Sequence, residues 1–285
     1  MLIPQIDPLL INKIQLDMYG RVSGVFLLLK PTGITSHDLV DGVRRILRTK
    51  KVGHAGTLDP FASGLVLVLV GKYTKYAEAI IQEDKEYLAK IVFGIQSLTQ
   101  DPEGIIIKNQ EVIFNNELEI KIKEIINNFP KSYKQRVPVF SSVKVNGYKL
   151  RVLAHSAKEI IFPSESEVTF IISQDPKPAK EITLNLPIKE VKIYNLELLE
   201  AGKIAELTIN QQLIKGNYSY CNVRVNCSKG TYIRQLAEDL GSKLGLPAFL
   251  LELERSKIGN YTLKQGINLT DLQQISDALV NGNKV

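Results

Sequence analysis

The stretch Gly53-His54-Ala55-Gly56-Thr57-Leu58-Asp59-Pro60-Phe61-Ala62-Ser63-Gly64, followed at once by the apolar run Leu65 to Val70, decides how the chain is read. A single carboxylate, Asp59, stands among glycines, a proline and small hydroxyl side chains. Gly, Pro, Asp and Ser are ordinary turn residues, so a tight turn accounts for them without any function. A rigid scaffold that holds one acid in a loop has the same composition. The apolar run behind it predicts a strand covered on both faces.

Working outward, Gly24 to Leu29 predicts a buried strand that enters a turn at Pro31-Thr32-Gly33. Ser36 reads as an N-cap, and Leu39, Val40, Val43, Ile46 and Leu47 recur at helical spacing. Arg44, Arg45, Arg48, Lys50 and Lys51 crowd the far end of that helix. The dipole favours cations there, and contact with phosphates is the functional reading. Residues 73–82 read as a helix, and Glu86 to Phe93 alternates as a strand. Tyr87, at its start, suits either the core or a ring that stacks on a ligand.

Residues 115–129 carry a helical pattern that ends at Pro130. In the following segment Lys131, Lys134, Arg136, Lys144, Lys149 and Arg151 interleave with Tyr133, Phe140 and Tyr148, and no acid intervenes. That composition suits a surface that holds a nucleic-acid backbone and stacks on exposed bases. Proline-bounded residues 163–187 predict a peripheral inserted hairpin from Val168–Ile172 and Ile182–Leu186. Val191 to Leu199 reads as a strand, and Ala201 to Gly216 as a second small hairpin. Tyr220 to Cys227 alternates, with Cys221, Val223, Val225 and Cys227 inward. A helix with Ile233, Leu236, Ala237, Leu240 and Leu244 follows, closed by Gly245. Arg234 falls in its first turn, against the dipole's preference, as an exposed side chain or one with a carboxylate or phosphate to meet. Leu250 to Leu253 with Arg255 reads as a strand, and Leu269 to Leu279 as a helix.

The 285 residues, 44% hydrophobic and 23% charged, describe a soluble globular chain with room for one large domain or two modest ones. A net charge of +6 and pI near 9.1 favour a polyanionic partner. Cys221 and Cys227 lie roughly 20 Å apart at strand rise, too far for a disulfide, so a reduced, cytoplasmic protein is expected. The scattered His37, His54 and His155 match no metal-site spacing, and no metal is expected. Asp7 and Asp17 interrupt the apolar N-terminus, which is neither a signal peptide nor a membrane span. It is a packed arm or a poorly ordered extension.

Four ordered blocks carry a resemblance. KPTGITSHDLVDGVRRIL with KKVGHAGTLDPFASGLVLVLVGKYTKYAE opens it; Lys85-Glu86-Tyr87 with Asp101-Pro102-Glu103-Gly104, then Pro138 to Gly147, then Cys227 to Arg234 with Asp239-Leu240-Gly241 follow. Together they resemble the tRNA pseudouridine synthase B family, the bacterial tRNA pseudouridine-55 synthases. The resemblance implies an α/β (α+β) catalytic fold on a mixed, largely antiparallel sheet flanked by helices, with peripheral insertions. It implies isomerisation of uridine 55 in the T arm of tRNA, by a monomer that needs no cofactor.

By the same resemblance Asp59 is the catalytic aspartate, Tyr87 the active-site tyrosine and Arg234 the arginine that pairs with the aspartate. His54 matches a histidine beside the target nucleotide and Leu253 an apolar residue of the uracil pocket. Lys30, Gly56, Thr57, Lys229 and Tyr232 are expected to contact substrate, as are Lys134, Arg136 and Lys144. Whether Asp59 attacks C1′, adds to C6 or acts as a base on the ribose stays open. So do a pseudouridine synthase of different RNA specificity and a non-catalytic tRNA-binding or folding protein.

Leu29, Phe140, Arg151 and His155 depart from the family's usual residues, in scaffold or RNA-contact positions. The expected organisation is an N-terminal extension over residues 1–23, a catalytic domain over 24–265 and a short segment over 266–285. Within the catalytic domain, residues of about 115–155 are expected to grip RNA and about 163–187 form an unusual insertion. A full C-terminal RNA-binding domain, typical of bacterial members, is not expected after so short a final segment.

Overall fold

The computed structural model describes residues 8–164, 166–174 and 177–282. Its contacts divide into two compact units. The first comprises Met1–Ala89, Arg224–Lys229 and Glu252–Val285, and the second Lys90–Val223 and Gly230–Leu251.

The first unit begins with β1 (Lys13–Leu16), β2 (Val22–Lys30), α1 (Ser36–Ile46), β3 (Val52–His54) and β4 (Ser63–Val70). A 3-10 turn over Gly71–Tyr76 leads into the short α2 (Ala77–Ile81) and β5 (Lys85–Phe93), whose last residues belong to the second unit. That unit continues with β6 (Ile95–Ser97), β7 (Ile106–Asn109), α3 (Asn116–Asn127), β8 (Ser132–Arg136), β9 (Lys144–Val145), β10 (Tyr148–Lys149) and α4 (Leu150–Ser156). Next come β11 (Glu159–Ile161), β12 (Glu167–Gln174), β13 (Lys177–Asn185), β14 (Ile188–Ile209), β15 (Gln212–Cys227), α5 (Ile233–Leu244) and β16 (Ala248–Ile258). β15 and β16 likewise contribute residues to both units, and β17 (Tyr261–Thr262) and α6 (Leu269–Gly282) complete the first. The fold is mixed α/β, and its largest sheet, of ten strands, is mostly antiparallel.

β4 is the axis of the first unit. Leu65 to Val70 are all 0% exposed, as a six-residue apolar run demands. β2 pairs antiparallel with one edge of β4, from Gly24↔Val70 to Lys30↔Gly64. The other edge of β4 pairs with β3, from Val52↔Val70 to His54↔Val68, and with β16 in parallel register, Glu254↔Ser63 and Arg255↔Gly64. β1 pairs with the outer edge of β2, so residues 13–16 extend the sheet. α6 packs on α1, where Leu269 fills the space that a side chain at Gly42 would take.

In the second unit, β12 and β13 form the expected hairpin, with β11 on its edge. It has a core of its own. Val168, Phe170, Ile182, Leu184 and Leu186 bury with Val137, Val139, Leu150 and Leu153, so the proline-bounded segment and the basic segment before it share one apolar cluster.

Three local expectations are corrected. The cap of α1 is Thr35, not Ser36: Thr35 and Asp38 form a reciprocal capping box, and Ser36 is free for another task. Residues 73–82 divide between the 3-10 turn and α2, since Gly71 has φ +62° against the backbone of Val22 and Ser23. The strand at 191–199 and the hairpin at 201–216 are one long hairpin, β14 and β15, joined at Asn210-Gln211 with both φ values positive. On β14 a Cβ at Gly202 would stand 3.2 Å from the Tyr220 ring, so glycine makes room there.

Candidate active site

The Asp59 loop is fastened by side chains that end on backbone groups. Lys30, 1% exposed, donates to the carbonyls of Pro31 and Ile34, each at 2.8 Å, and of Pro60 at 3.1 Å. An ammonium has three donors, and here all three are used on carbonyls. The structure therefore places Lys30 beneath the loop as a fastener, away from any surface where it would meet substrate. Ser36 Oγ accepts from the Leu58 N–H at 2.9 Å and donates to the Leu58 carbonyl at 3.0 Å. The Gly33 N–H donates to the Pro60 carbonyl at 2.9 Å.

Arg255 is the fastener that the sequence did not single out. It is 1% exposed, and its Nε donates to the Leu65 carbonyl at 2.7 Å. Its Nη2 and Nη1 reach the carbonyls of Gly56 at 3.2 Å and Thr57 at 3.4 Å. One rigid guanidinium thus ties the loop to the start of β4. Gly64 must be glycine for this register: its φ is +110°, and a Cβ would lie 2.5 Å from the Arg255 carbonyl oxygen. The legible signal was alternation. Leu253 and Arg255 share the buried face of β16, while Glu252 and Glu254 lie on the other. A cation on an inward strand position requires a partner.

Tyr87, Leu253 and His54 belong to the same unit as Asp59. Asp59 itself is half-buried. Burial pushes the Tyr87 phenol above its ordinary range, the Asp59 charge adds to this, and the Arg255 guanidinium, hydrogen-bonded to the hydroxyl, partly offsets it. Tyr87 therefore keeps its proton at neutral pH and is a hydrogen-bond donor, not a base. Leu253 is 7% exposed. His54 ends β3; burial first, and the Arg255 charge second, hold its imidazole below the usual range, so it is neutral. Its buried Nδ1 has no partner among the described residues. Gly56 has φ +95°, and the exposed Thr57 follows it. Lys229 Nζ donates to Gln82 Oε1 at the end of α2.

Lys85 sits next to this group. Burial, assisted by the Arg255 charge, lowers its amine to about 8, and it donates to the Ile81 carbonyl at 2.7 Å and to the Glu83 carbonyl. The folded chain thus sheds this proton before the unfolded one does, so the penalty for burying the charge is full below pH 8 and is relieved between about 8 and 10.5. Urea titrations across that window are expected to show the wild type gaining stability relative to Lys85→Met as pH rises. Parallel curves would show that the amine does not titrate there.

In the second unit, Arg234 is 5% exposed, which excludes a surface role. Its Nη1 donates to the Thr99 carbonyl at 2.9 Å and its Nη2 to the Phe140 carbonyl at 3.1 Å, and Nε lies 3.7 Å from the Asp101 carboxylate. Asp101 in turn accepts from the Thr99 hydroxyl and from the Glu103 N–H. The Asp101-Pro102-Glu103-Gly104 block is thereby explained as a compact turn around one carboxylate. Gln135, 1% exposed, accepts from the Tyr232 N–H at 2.8 Å and donates to the Tyr232 carbonyl at 3.0 Å, which fixes the start of α5. The Tyr232 ring packs on the satellite core and lies under Lys189.

The basic segment is not uniform. Lys134 and Lys144 are exposed, whereas Arg136 is half-buried, 3.5 Å from Glu238 and over the Phe162 ring. Among the described residues, no helix is long and apolar enough to cross a membrane.

Comparison with known proteins bears on this arrangement. A family model described as TruB family pseudouridylate synthase (N terminal domain) matches residues 44–173. The chain is 36% identical over 253 residues to the tRNA pseudouridine synthase B of Clostridium tetani, covering 89% of this chain and 73% of that protein. It is 35% identical over 256 residues to the tRNA pseudouridine synthase B of Desulfotalea psychrophila, covering 90% of this chain and 89% of the other. A solved structure described as a Cbf5-Nop10-Gar1 complex matches with a TM-score of 0.57 and 25% identity, over 92% of this chain and 56% of that one. A second, of an H/ACA RNP bound to a substrate RNA containing 2'-deoxyuridine, shares the fold with a TM-score of 0.55 at 24% identity, over 92% and 55% of the two chains.

Proposed function

Since the chain belongs to the tRNA pseudouridine synthase B family, isomerases that convert uridine to pseudouridine, we propose that it acts on uridine 55 in the T arm of tRNA, with Asp59 as the catalytic carboxylate. The observation that carries this reading is the fastening of the Asp59 loop by Lys30, Ser36 and Arg255, with Tyr87 hydrogen-bonded to the same arginine. A loop held at three points presents its acid in one position, which is what a reaction without a cofactor requires.

The reaction breaks the C1′–N1 bond and forms a C1′–C5 bond. N1 ends protonated, the C5 proton goes to solvent, and no electrons are exchanged. An ionised carboxylate serves it by attack on C1′, by addition to C6, or as a base on the ribose. Tyr87, which keeps its proton, accepts from Arg255 and has its O–H available to donate. Tyr87 and Leu253 offer an apolar wall past which the detached base rotates. Arg234, on the second unit, joins the catalytic set on the strength of the family's motif, and His54 and Thr57 contact the target nucleotide. The uridine leaves its stack to react, at a cost of a few kcal/mol.

The test uses tRNA transcripts that carry 5-tritiated uridine. One equivalent of tritium is expected in solvent per tRNA, and none from a transcript with cytidine at position 55. No release from the first would leave a non-catalytic tRNA-binding protein as the reading, and equal release from both would give a different specificity.

RNA contact is assigned to Lys134 and Lys144, whose ammonium groups are exposed. Each phosphate contact contributes roughly 0.7–0.9 to the slope of log affinity against log salt. The Lys134→Gln/Lys144→Gln protein is therefore expected to bind tRNA with a slope shallower by about 1.5 units. Filter binding across a salt series measures this, and an unchanged slope would remove both residues from the interface.

A further inference from the structure

The first unit holds a second concave site at the opposite end of β2 and β4 from the Asp59 loop. The register fixes the separation: Lys30↔Gly64 lies beside the loop, and Val22, Ser23 and Gly71 lie at the other end. From Leu65 to Gly71, at about 3.3 Å per residue, the distance is roughly 20 Å. The cavity there has a volume of about 540 Å³. Arg21, Arg48, Lys51 and Lys72 line it, with Asp17 the one acid among its lining residues.

Asp17 is already engaged, since it accepts from the Arg21 Nε at 2.7 Å and from the Arg21 N–H. Among the described residues, the side chains of Arg48 and Lys51 make no hydrogen bond or ion pair, and Lys72 has only the face of Tyr73 at 5.4 Å. Three cations therefore face a shared space without a counter-charge. Gln15 adds a separate observation. Its Oε1 accepts from the Tyr73 hydroxyl at 3.0 Å, while its buried Nε2 has no acceptor among the described residues. Cations that share a concave space with one acid, itself already engaged, call for an anion that also accepts hydrogen bonds. Among the described residues no aromatic ring lines the cavity, so none of them would stack on a base there. The ligand chemistry is that of a phosphate read without its nucleobase.

We infer that this cavity grips a backbone phosphate of the substrate RNA at a point distant from the target nucleotide, an inference that rests on the RNA reading given above. The site positions the RNA and takes no part in the chemistry.

The test is a Lys51→Gln/Lys72→Gln double variant of the full chain. Both side chains are exposed, and neither fastens the fold through a hydrogen bond or ion pair, so urea unfolding is expected to match the wild type. Against tRNA the variant is expected to lose about 1–2 units of salt slope and to raise KM by about 5–20-fold, with kcat within about twofold. Wild-type slope and KM would overturn the inference. If inorganic phosphate raised the wild-type unfolding midpoint while the variant kept the wild-type RNA slope, the cavity would be a free-anion site, which also overturns it. If the wild type released no tritium yet the double variant still flattened the slope, the phosphate grip would stand and the catalytic reading would fall.

Discussion

Asp59→Asn is expected to abolish tritium release, by at least about 10⁴-fold in kcat, because the amide is nearly isosteric but neither attacks carbon nor takes a proton. RNA affinity is expected to stay within about threefold, since the bonds from Lys30 and Arg255 to the carbonyls of Pro60, Gly56 and Thr57 are left in place by the substitution. Single-turnover release and filter binding on the same preparation separate the two quantities. Release at the wild-type rate would dismiss Asp59 as the catalytic group. Lost affinity together with lost release would make it a binding residue instead.

Arg255→Met should give the largest loss of stability. The thioether fills much of the arginine's volume but leaves the carbonyls of Leu65, Gly56 and Thr57 without a donor. Each buried unsatisfied carbonyl costs about 1–3 kcal/mol, and removal of a buried cation returns part of its desolvation penalty. A net loss of about 2–4 kcal/mol in urea unfolding is expected, with kcat falling as the loop loosens. Arg255→Lys should recover only part, because one ammonium cannot reproduce the planar fork. A variant with wild-type stability and wild-type turnover would show that the loop holds itself.

The residues explain why some of this was legible in sequence and some was not. Leu65 to Val70 could only be a doubly covered strand, and the Gly, Pro and Asp punctuation before it marked the loop. Cys221, Val223, Val225 and Cys227 announced their inward face by strict alternation, and all are 0% exposed. Arg255 was hidden because a cation in a charged strand reads as solvent-facing until its neighbours' burial is known. Ser36 and Thr35 are both good caps, and only the position of Leu58, 22 residues away, decides which one is released for the loop. Local chemistry was readable. Long-range partners were not.

The bond from Arg255 to Leu65 spans 190 residues and sets an order of events during synthesis. At about 5–20 residues per second, the guanidinium emerges from the ribosome roughly 10–40 seconds after the strand it must meet. Until then the carbonyls of Gly56 and Thr57 lack their donor, while Lys30, Gly33 and Ser36 already hold Leu58 and Pro60. On the proposed function, a nascent chain that already displays the basic residues of the N-terminal half is able to touch RNA before the Asp59 loop has its last fastener.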